Sequence, residues 1–227
     1  MSLDQRHRAH LMVAGLSAGM MGRMDAAEPL SGLVVCLPEA SLEDLIGPME
    51  VLVQEELGVF AVPGDLLEFD AAVGIFGARA RFGVHGVWAA EQIGDLAARG
   101  ASFVLADSDD PALAEAGAEC GIPVYLQAMT PREVRMARAH GNVQLYPADV
   151  VGHVMAERLA GLGLIDGVVP RGGLGAFAAE QWFKAGAQAA CVDATLLGDS
   201  LRGGDLGALR DRCASFRRAT RSLQPEV

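Results

Sequence analysis

Ser102-Phe103-Val104-Leu105-Ala106 is apolar without a break from Phe103 onward, and Gly32-Leu33-Val34-Val35-Cys36-Leu37 is a second apolar run. Neither run alternates polar with apolar residues, which is the pattern of strands covered on both faces of a sheet. Runs of this kind recur at steps of about 20 to 26 residues, enough for one strand, one helix and their connections. They begin near Leu33, Val59, Arg81, Ser102, Pro123, Val143, Gly167 and Ala189. Eight such units predict a fold of the α/β class, a closed parallel (β/α)8 TIM barrel.

The segments between the runs carry signals for the start and end of helices. Asp110-Pro111 and Thr130-Pro131 each place a capping side chain before a proline, which fits the first position of a helix. Glu133 follows Thr130 at the spacing of a capping box. Gly121 lies just past one predicted helix, where a left-handed residue commonly ends a helix. These signals place a helix after each strand.

The length of the chain fits one domain of this kind, since 227 residues with 51% hydrophobic residues can form a single barrel. We predict that the barrel spans residues 29–222 and that residues 223–227 form a frayed tail. Residues 1–28 are predicted to form an N-terminal helix that closes the floor of the barrel. Basic residues before the apolar stretch Leu11–Met21 also resemble a secretory leader, but no convincing cleavage site precedes Asp25.

Charge and cysteine usage exclude several classes of function. A formal net charge of -11 argues against a nucleic-acid partner, because phosphate binding needs clustered lysines and arginines. No apolar run reaches the length of about 18 residues that a membrane span requires. The four cysteines show no Cys-x-x-Cys spacing and are too sparse for a disulfide scaffold. They are predicted to be core residues in a reducing compartment, which indicates a cytoplasmic protein.

A set of polar residues is predicted at the carboxyl ends of the strands, the face where barrels keep their active sites. It comprises Asp65, His85, Asp107, Gln127, Gln144, Arg171 and Asp193. Polar side chains in an otherwise apolar barrel are costly unless they are paired or used. Two interpretations stay open: a self-satisfied network in which Arg171 pairs with Asp193 or Asp107, and a working pocket.

Five short motifs, in their order and spacing, carry a resemblance to a known family. They are Gly121-Ile122-Pro123, Thr130-Pro131-x-Glu133-Val134, Tyr146-Pro147-Ala148, Gly172-Gly173 and the run from Cys191 to Gly198. On these motifs the chain resembles the 2-keto-3-deoxy-6-phosphogluconate / 4-hydroxy-2-oxoglutarate aldolases from about Arg81 to Arg218. The resemblance implies a lyase that joins a lysine to a 2-oxo acid as a Schiff base, needs no cofactor and assembles as a homotrimer.

The residues that would perform this chemistry differ here. Gln144 stands where the family has its Schiff-base lysine, and an amide cannot replace an amine nucleophile. Lys184 is the single lysine of the sequence and falls in a predicted helix. The resemblance aligns the family's acid/base glutamate with Ala61 and a substrate arginine with Asp65. An ordinary Schiff-base aldolase is therefore not expected.

The resemblance also implies a phosphate site near strands 7 and 8, a common place for one in barrels. Gly172 and Gly173 could present backbone N–H groups to an anion there, and Arg171 would add a charged donor. A carboxylate at Asp193 would repel phosphate. The predicted substrate- or anion-binding residues are Arg171, Gly172, Gly173, Thr195 and Gln127.

Three functions stay open. The first is an aldolase-like protein that binds or acts on a small 2-oxo acid, phosphorylated or not, with Gln144, His85 and Asp107 at the catalytic positions. The second is a metal-dependent lyase or isomerase that holds Mg or Mn with Asp107, Asp193 and His85. The third is a non-catalytic relative that binds a small acid or serves as an oligomeric scaffold. If Gln144 were replaced by lysine, neighbouring carboxylates would be expected to raise the pKa of the new amine.

Overall fold

The computed structural model describes residues 28–65 and 68–223, and eight parallel strands form one sheet in it. The strands are β1 (Gly32–Cys36), β2 (Val59–Pro63), β3 (Arg81–Val87), β4 (Val104–Ala106), β5 (Val124–Ala128), β6 (Asn142–Leu145), β7 (Val168–Pro170) and β8 (Ala189–Val192). Each begins close to the position predicted from the apolar runs. The predicted parallel (β/α)8 barrel is confirmed.

Strands that are consecutive along the chain lie side by side, and β8 returns to pair with β1. Val34 of β1 pairs with Cys191 of β8, and Ala61 of β2 pairs with Gly83 of β3. β7 and β8 lie in contact at the remaining seam, so the barrel is nearly closed. Because all strands run in one direction, their carboxyl ends meet on one face of the molecule.

Helices alternate with the strands along the chain. They are α1 (Leu42–Gln54), α2 (Phe69–Phe76), α3 (Glu91–Ala98), α4 (Pro111–Cys120), α5 (Pro131–Arg138), α6 (Ala148–Val151), α7 (Val154–Gly161), α8 (Ala176–Lys184), α9 (Ala194–Leu197) and α10 (Leu206–Ala219), with 3-10 turns at Ser200–Arg202 and Thr220–Leu223. None of the helices in the described part of the chain is long and apolar enough to cross a membrane.

The predicted helix ends form as expected. The Asp110 carboxylate accepts the Ala112 N–H at 3.0 Å, and Thr130 and Glu133 make both hydrogen bonds of the capping box. Gly121 ends α4 in the left-handed region with a φ of 72°. Local sequence therefore fixes where these helices begin and end.

Strand residues alternate between an outer core, packed against the helices, and an inner core that fills the barrel. The inner core comprises Leu30, Val34, Cys36, Ala61, Phe103, Leu105, Tyr125, Val169, Ala189 and Cys191. Gly83 makes room for the large Phe103 side chain, because a Cβ at Gly83 would overlap the phenyl ring. Apolar side chains thus fill the lower part of the barrel interior, and the inward-facing polar residues lie at its upper end.

The chain enters at the amino-terminal end of the barrel. The Leu30 N–H donates to the Tyr125 hydroxyl at 3.0 Å, and Arg81 donates to the Glu28 carbonyl at 2.6 Å. The predicted N-terminal helix over residues 1–28 lies outside the described residues except for Glu28. The predicted frayed tail over 223–227 lies outside them except for Leu223.

Candidate functional site

The alternation that builds the inner core continues into polar residues where the strands end. The inward positions there belong to His85, Asp107, Gln127, Gln144, Arg171 and Asp193. A cavity of about 820 Å³ opens at this end, lined by residues that include His85, Tyr146, Arg171, Gly172, Gly173 and Asp193. The predicted polar set therefore does gather at one mouth. Asp65 is the exception, since it lies exposed on the loop after β2.

Gln144 lies at the base of this mouth and is fully buried. Its amide nitrogen donates to the carbonyl oxygens of Ala106 and Tyr125. Its amide oxygen accepts from Nη1 of Arg171 at 3.2 Å. Both ends of the amide are therefore satisfied by protein groups, and this anchors the side chain rather than leaving it available for reaction.

Arg171 is the charged centre of the mouth. The residue is only 8% exposed, and its Nη1 contacts the Asp107 carboxylate at 2.5 Å. The guanidinium carbon lies 4.6 Å from the centre of the Tyr146 ring, so the cation also stacks on an aromatic face. Within the described residues, both hydrogen bonds of the Arg171 side chain are donated by Nη1. Nε and Nη2 keep donors for a ligand in the cavity.

Part of the predicted self-satisfied network is present. Arg171 pairs with Asp107, while Asp193 turns to the loop after β7. Gln127 pairs in register with Gln144 and is half-buried. The contacts of Arg171 with Asp107 and Gln144 fix the direction of the guanidinium.

His85 lies on the opposite wall of the mouth. Its Nε2 is 2.9 Å from the Leu37 carbonyl oxygen, and a carbonyl can only accept, so Nε2 carries a proton and donates it to this hydrogen bond. Burial lowers the pKa of His85 below its ordinary value, and the Arg171 guanidinium lowers it further, against the raising effects of the Leu37 carbonyl and of Asp107. His85 is thus neutral near pH 7.

We expect His85 to make folding pH-dependent. Its folded-state pKa is depressed, so the unfolded chain takes up the proton first as the pH falls, and proton uptake favours unfolding. The stability that the neutral ring contributes is complete above the unfolded pKa of about 6.5 and is lost below it.

The measurement is the thermal midpoint at pH values of about 7.5 and 5.5 for wild type and His85→Gln. Glutamine keeps an N–H donor for the Leu37 carbonyl but does not titrate. When the pH is lowered, the thermal midpoint of the variant should fall by less than that of wild type. Equal losses in the two proteins would contradict this account of His85.

The predicted anion-binding loop is already engaged. The Gly173 N–H donates to the Asp193 carboxylate at 2.9 Å, and the Thr195 hydroxyl donates to the Leu174 carbonyl at 2.6 Å. Gly172 and Gly173 both adopt positive φ, 103° and 61°, which glycine alone takes without strain. The loop has the predicted residues, but a carboxylate of the protein occupies one of its donors.

The predicted metal ligands do not converge. Within the described ranges 28–65 and 68–223, no group of three or more His, Cys, Asp or Glu side chains is placed to hold a metal ion. Asp107 binds Arg171, Asp193 binds Gly173, and His85 binds the Leu37 carbonyl. The arrangement of these three side chains therefore does not favour the prediction of a Mg or Mn site.

Several residues of the mouth were not predicted from the sequence. Cys36, Glu39, Asp44 and Arg202 also line the cavity. Glu39 and Asp44 follow β1 closely, so their position after a strand end was a usable signal. Arg202 lies in a 3-10 turn well beyond β8, and the spacing of strands gives no sign that it returns to the mouth.

Comparisons with known proteins support the fold. No protein-family model matches the sequence, and no curated protein matches it. A solved structure described as native KDPGal superposes with a TM-score of 0.74 at 20% identity, covering 85% of this chain and 96% of that one. A KDPG aldolase from Legionella pneumophila, with pyruvate captured as a covalent carbinolamine, gives a TM-score of 0.71 at 18% identity over 85% and 96%. A 3-hexulose-6-phosphate synthase from Salmonella typhimurium superposes with a TM-score of 0.60 at 15% identity, covering 83% of this chain and 99% of that one.

These identities establish a shared barrel and not a shared activity. The resemblance noted in the sequence is confirmed at the level of the fold, because KDPG aldolases are among the structures that superpose well. Whether the mouth works as theirs do depends on its own residues.

Proposed function

We propose that this protein binds a small 2-oxo acid in the mouth of the barrel, with the ligand carboxylate on Arg171, and that it forms no Schiff base. It is aldolase-like in its fold and not in its chemistry. Assembly as a homotrimer and a cytoplasmic location are further predictions that accompany this proposal.

Arg171 carries the proposal. A guanidinium presents its donors as a planar fork that matches a carboxylate. Arg171 lines the cavity, and within the described residues its Nε and Nη2 make no hydrogen bond to the protein. Asp107 and Gln144 hold the third nitrogen, so the fork is fixed before a ligand arrives. The largely buried site strengthens the attraction between the guanidinium and an anion.

The absence of imine chemistry follows from two residues. Gln144 has no amine, and its amide is bound at both ends. Lys184 lies on α8, half-exposed, with its Nζ 2.7 Å from the Glu180 carboxylate. This amine lies on the outer helix layer and does not line the cavity at the barrel mouth, so it is not placed to attack a 2-oxo acid bound there.

The test combines trapping with ligand binding. Borohydride added with pyruvate should leave the protein mass unchanged, while pyruvate alone should raise the thermal midpoint because it binds the native state. Arg171→Lys keeps the charge but loses the fork, and we expect about tenfold weaker binding of pyruvate. Arg158→Lys, on the exposed face of α7, is the matched control and should bind as wild type does.

Two results would contradict the proposal. A stable pyruvyl adduct on Lys184 would show that imine chemistry persists by another route. Pyruvate affinity that is equal in Arg171→Lys, Arg158→Lys and wild type would show that Arg171 does not hold the carboxylate.

A further inference from the structure

Asp193 occupies the place in the mouth where an anionic ligand would bind to the backbone. Its Oδ2 accepts the Gly173 N–H at 2.9 Å, and its Oδ1 accepts the Thr195 N–H at 3.5 Å. These donors lie in the loop after β7 and in the first turn of α9, which follows β8; in barrels this region often binds phosphate. A carboxylate of the protein is therefore already bound to these two backbone N–H groups.

A second carboxylate packs against the same glycine. A Cβ at Gly173 would lie 2.6 Å from Oδ2 of Asp149, so the Asp149 side chain packs directly against this residue. Neither Asp149 nor Asp193 belongs to an ion pair within the described residues. The backbone around Gly173 thus already faces two negative charges.

The charged residues that line the whole cavity also disfavour a phosphate group. The acidic residues lining the cavity are Glu39, Asp44, Asp149 and Asp193, against the two arginines Arg171 and Arg202. Arg171 is in addition paired with Asp107. A phosphate ester brings a charge of about -2 near neutral pH, whereas a simple 2-oxo acid brings a single carboxylate that the free donors of Arg171 can bind.

We propose that Asp193 is a specificity-determining residue, which occupies the backbone anion site and restricts the cavity to 2-oxo acids without a phosphate group. The identity of the ligand as an oxo acid rests on the proposed function. The occupation of the anion site by Asp193 does not depend on it.

The experiment asks whether removing this carboxylate opens the site to phosphate. Asp193→Ser removes the charge, frees the Gly173 N–H and keeps a short oxygen that can cap α9. Asp205→Ser is the matched control, because Asp205 caps α10 through the Gly207 N–H at 2.8 Å and does not line the cavity. Binding of inorganic phosphate to the full chain is measured by calorimetry for wild type and both variants.

We expect Asp193→Ser to bind inorganic phosphate at least about tenfold more tightly than wild type, and Asp205→Ser to match wild type. Equal phosphate affinity in wild type and Asp193→Ser would overturn the proposal, and so would an equal gain in the two variants. Should Asp193→Ser fail to fold, Asp193→Asn, which keeps the shape without the charge, must still exceed wild type.

The two proposals fail separately. If wild type does not bind pyruvate but Asp193→Ser binds phosphate more tightly than wild type, the proposed role of Asp193 is supported and the proposed oxo-acid ligand is contradicted. If wild type binds pyruvate and Asp193→Ser binds phosphate no more tightly than wild type, the proposed oxo-acid ligand is supported and the proposed role of Asp193 is contradicted.

Discussion

Arg171→Met should lower the free energy of unfolding by about 3–5 kcal/mol, the usual cost of removing one partner from a buried ion pair. The side chains of Arg171 and Asp107 are 10% and 18% exposed, so little water is present to replace the lost partner. The variant leaves the Asp107 carboxylate and the Gln144 amide oxygen without the guanidinium that satisfies them. Urea denaturation monitored by circular dichroism measures the change.

Two further variants separate this cost from the loss of side-chain packing. In Arg171→Met/Asp107→Leu no unpaired charge remains, so most of the stability should return. Arg79→Met removes an arginine from a solvent-exposed pair in which it donates to both carboxylate oxygens of Glu50. Because water can solvate the remaining partner, the free energy of unfolding should fall much less than in Arg171→Met. A cost of Arg171→Met no larger than that of Arg79→Met would show that water solvates the mouth pair.

Gln144→Lys should not restore aldolase turnover. The acid/base glutamate implied by the resemblance aligns with Ala61, which is fully buried and apolar. Proton transfer by a positioned side chain typically contributes about 10²–10⁴-fold, and we expect cleavage of 2-keto-3-deoxy-6-phosphogluconate to fall short of an ordinary aldolase by at least that much. Release of pyruvate is measured for Gln144→Lys, with Gln144→Met as the control that fills the site without an amine.

The pKa of the introduced amine should nevertheless shift in the direction opposite to the one expected from the sequence. Neighbouring carboxylates were expected to raise its pKa, but the Gln144 amide oxygen faces the Arg171 guanidinium at 3.2 Å in a fully buried position. Burial and the like charge of Arg171 both lower the pKa of a lysine there, at a cost in stability.

We therefore expect borohydride to trap a pyruvyl adduct on the introduced lysine even though turnover stays low. Turnover within about tenfold of an ordinary aldolase would show that the missing proton-transfer group matters less than its typical contribution suggests.

How far the sequence predicts the site differs from residue to residue. The side-chain period of a strand places Gln144 and Arg171 inside the barrel once the strands are located. Their burial follows from the apolar residues around them. The sequence left Arg171 with two possible partners, Asp107 and Asp193, because strand assignment does not specify which side chains on different strands meet.

The sequence by itself determined the barrel, the helix ends and the ring of polar residues at the mouth. Those features depend on local patterns: continuous apolar runs, caps beside proline, and a strand spacing that repeats. Only the tertiary structure decided the contacts. Arg171 binds Asp107, and Asp193 binds the Gly173 N–H, because the curvature of the barrel and the paths of the loops set distances across strands that sequence spacing does not contain.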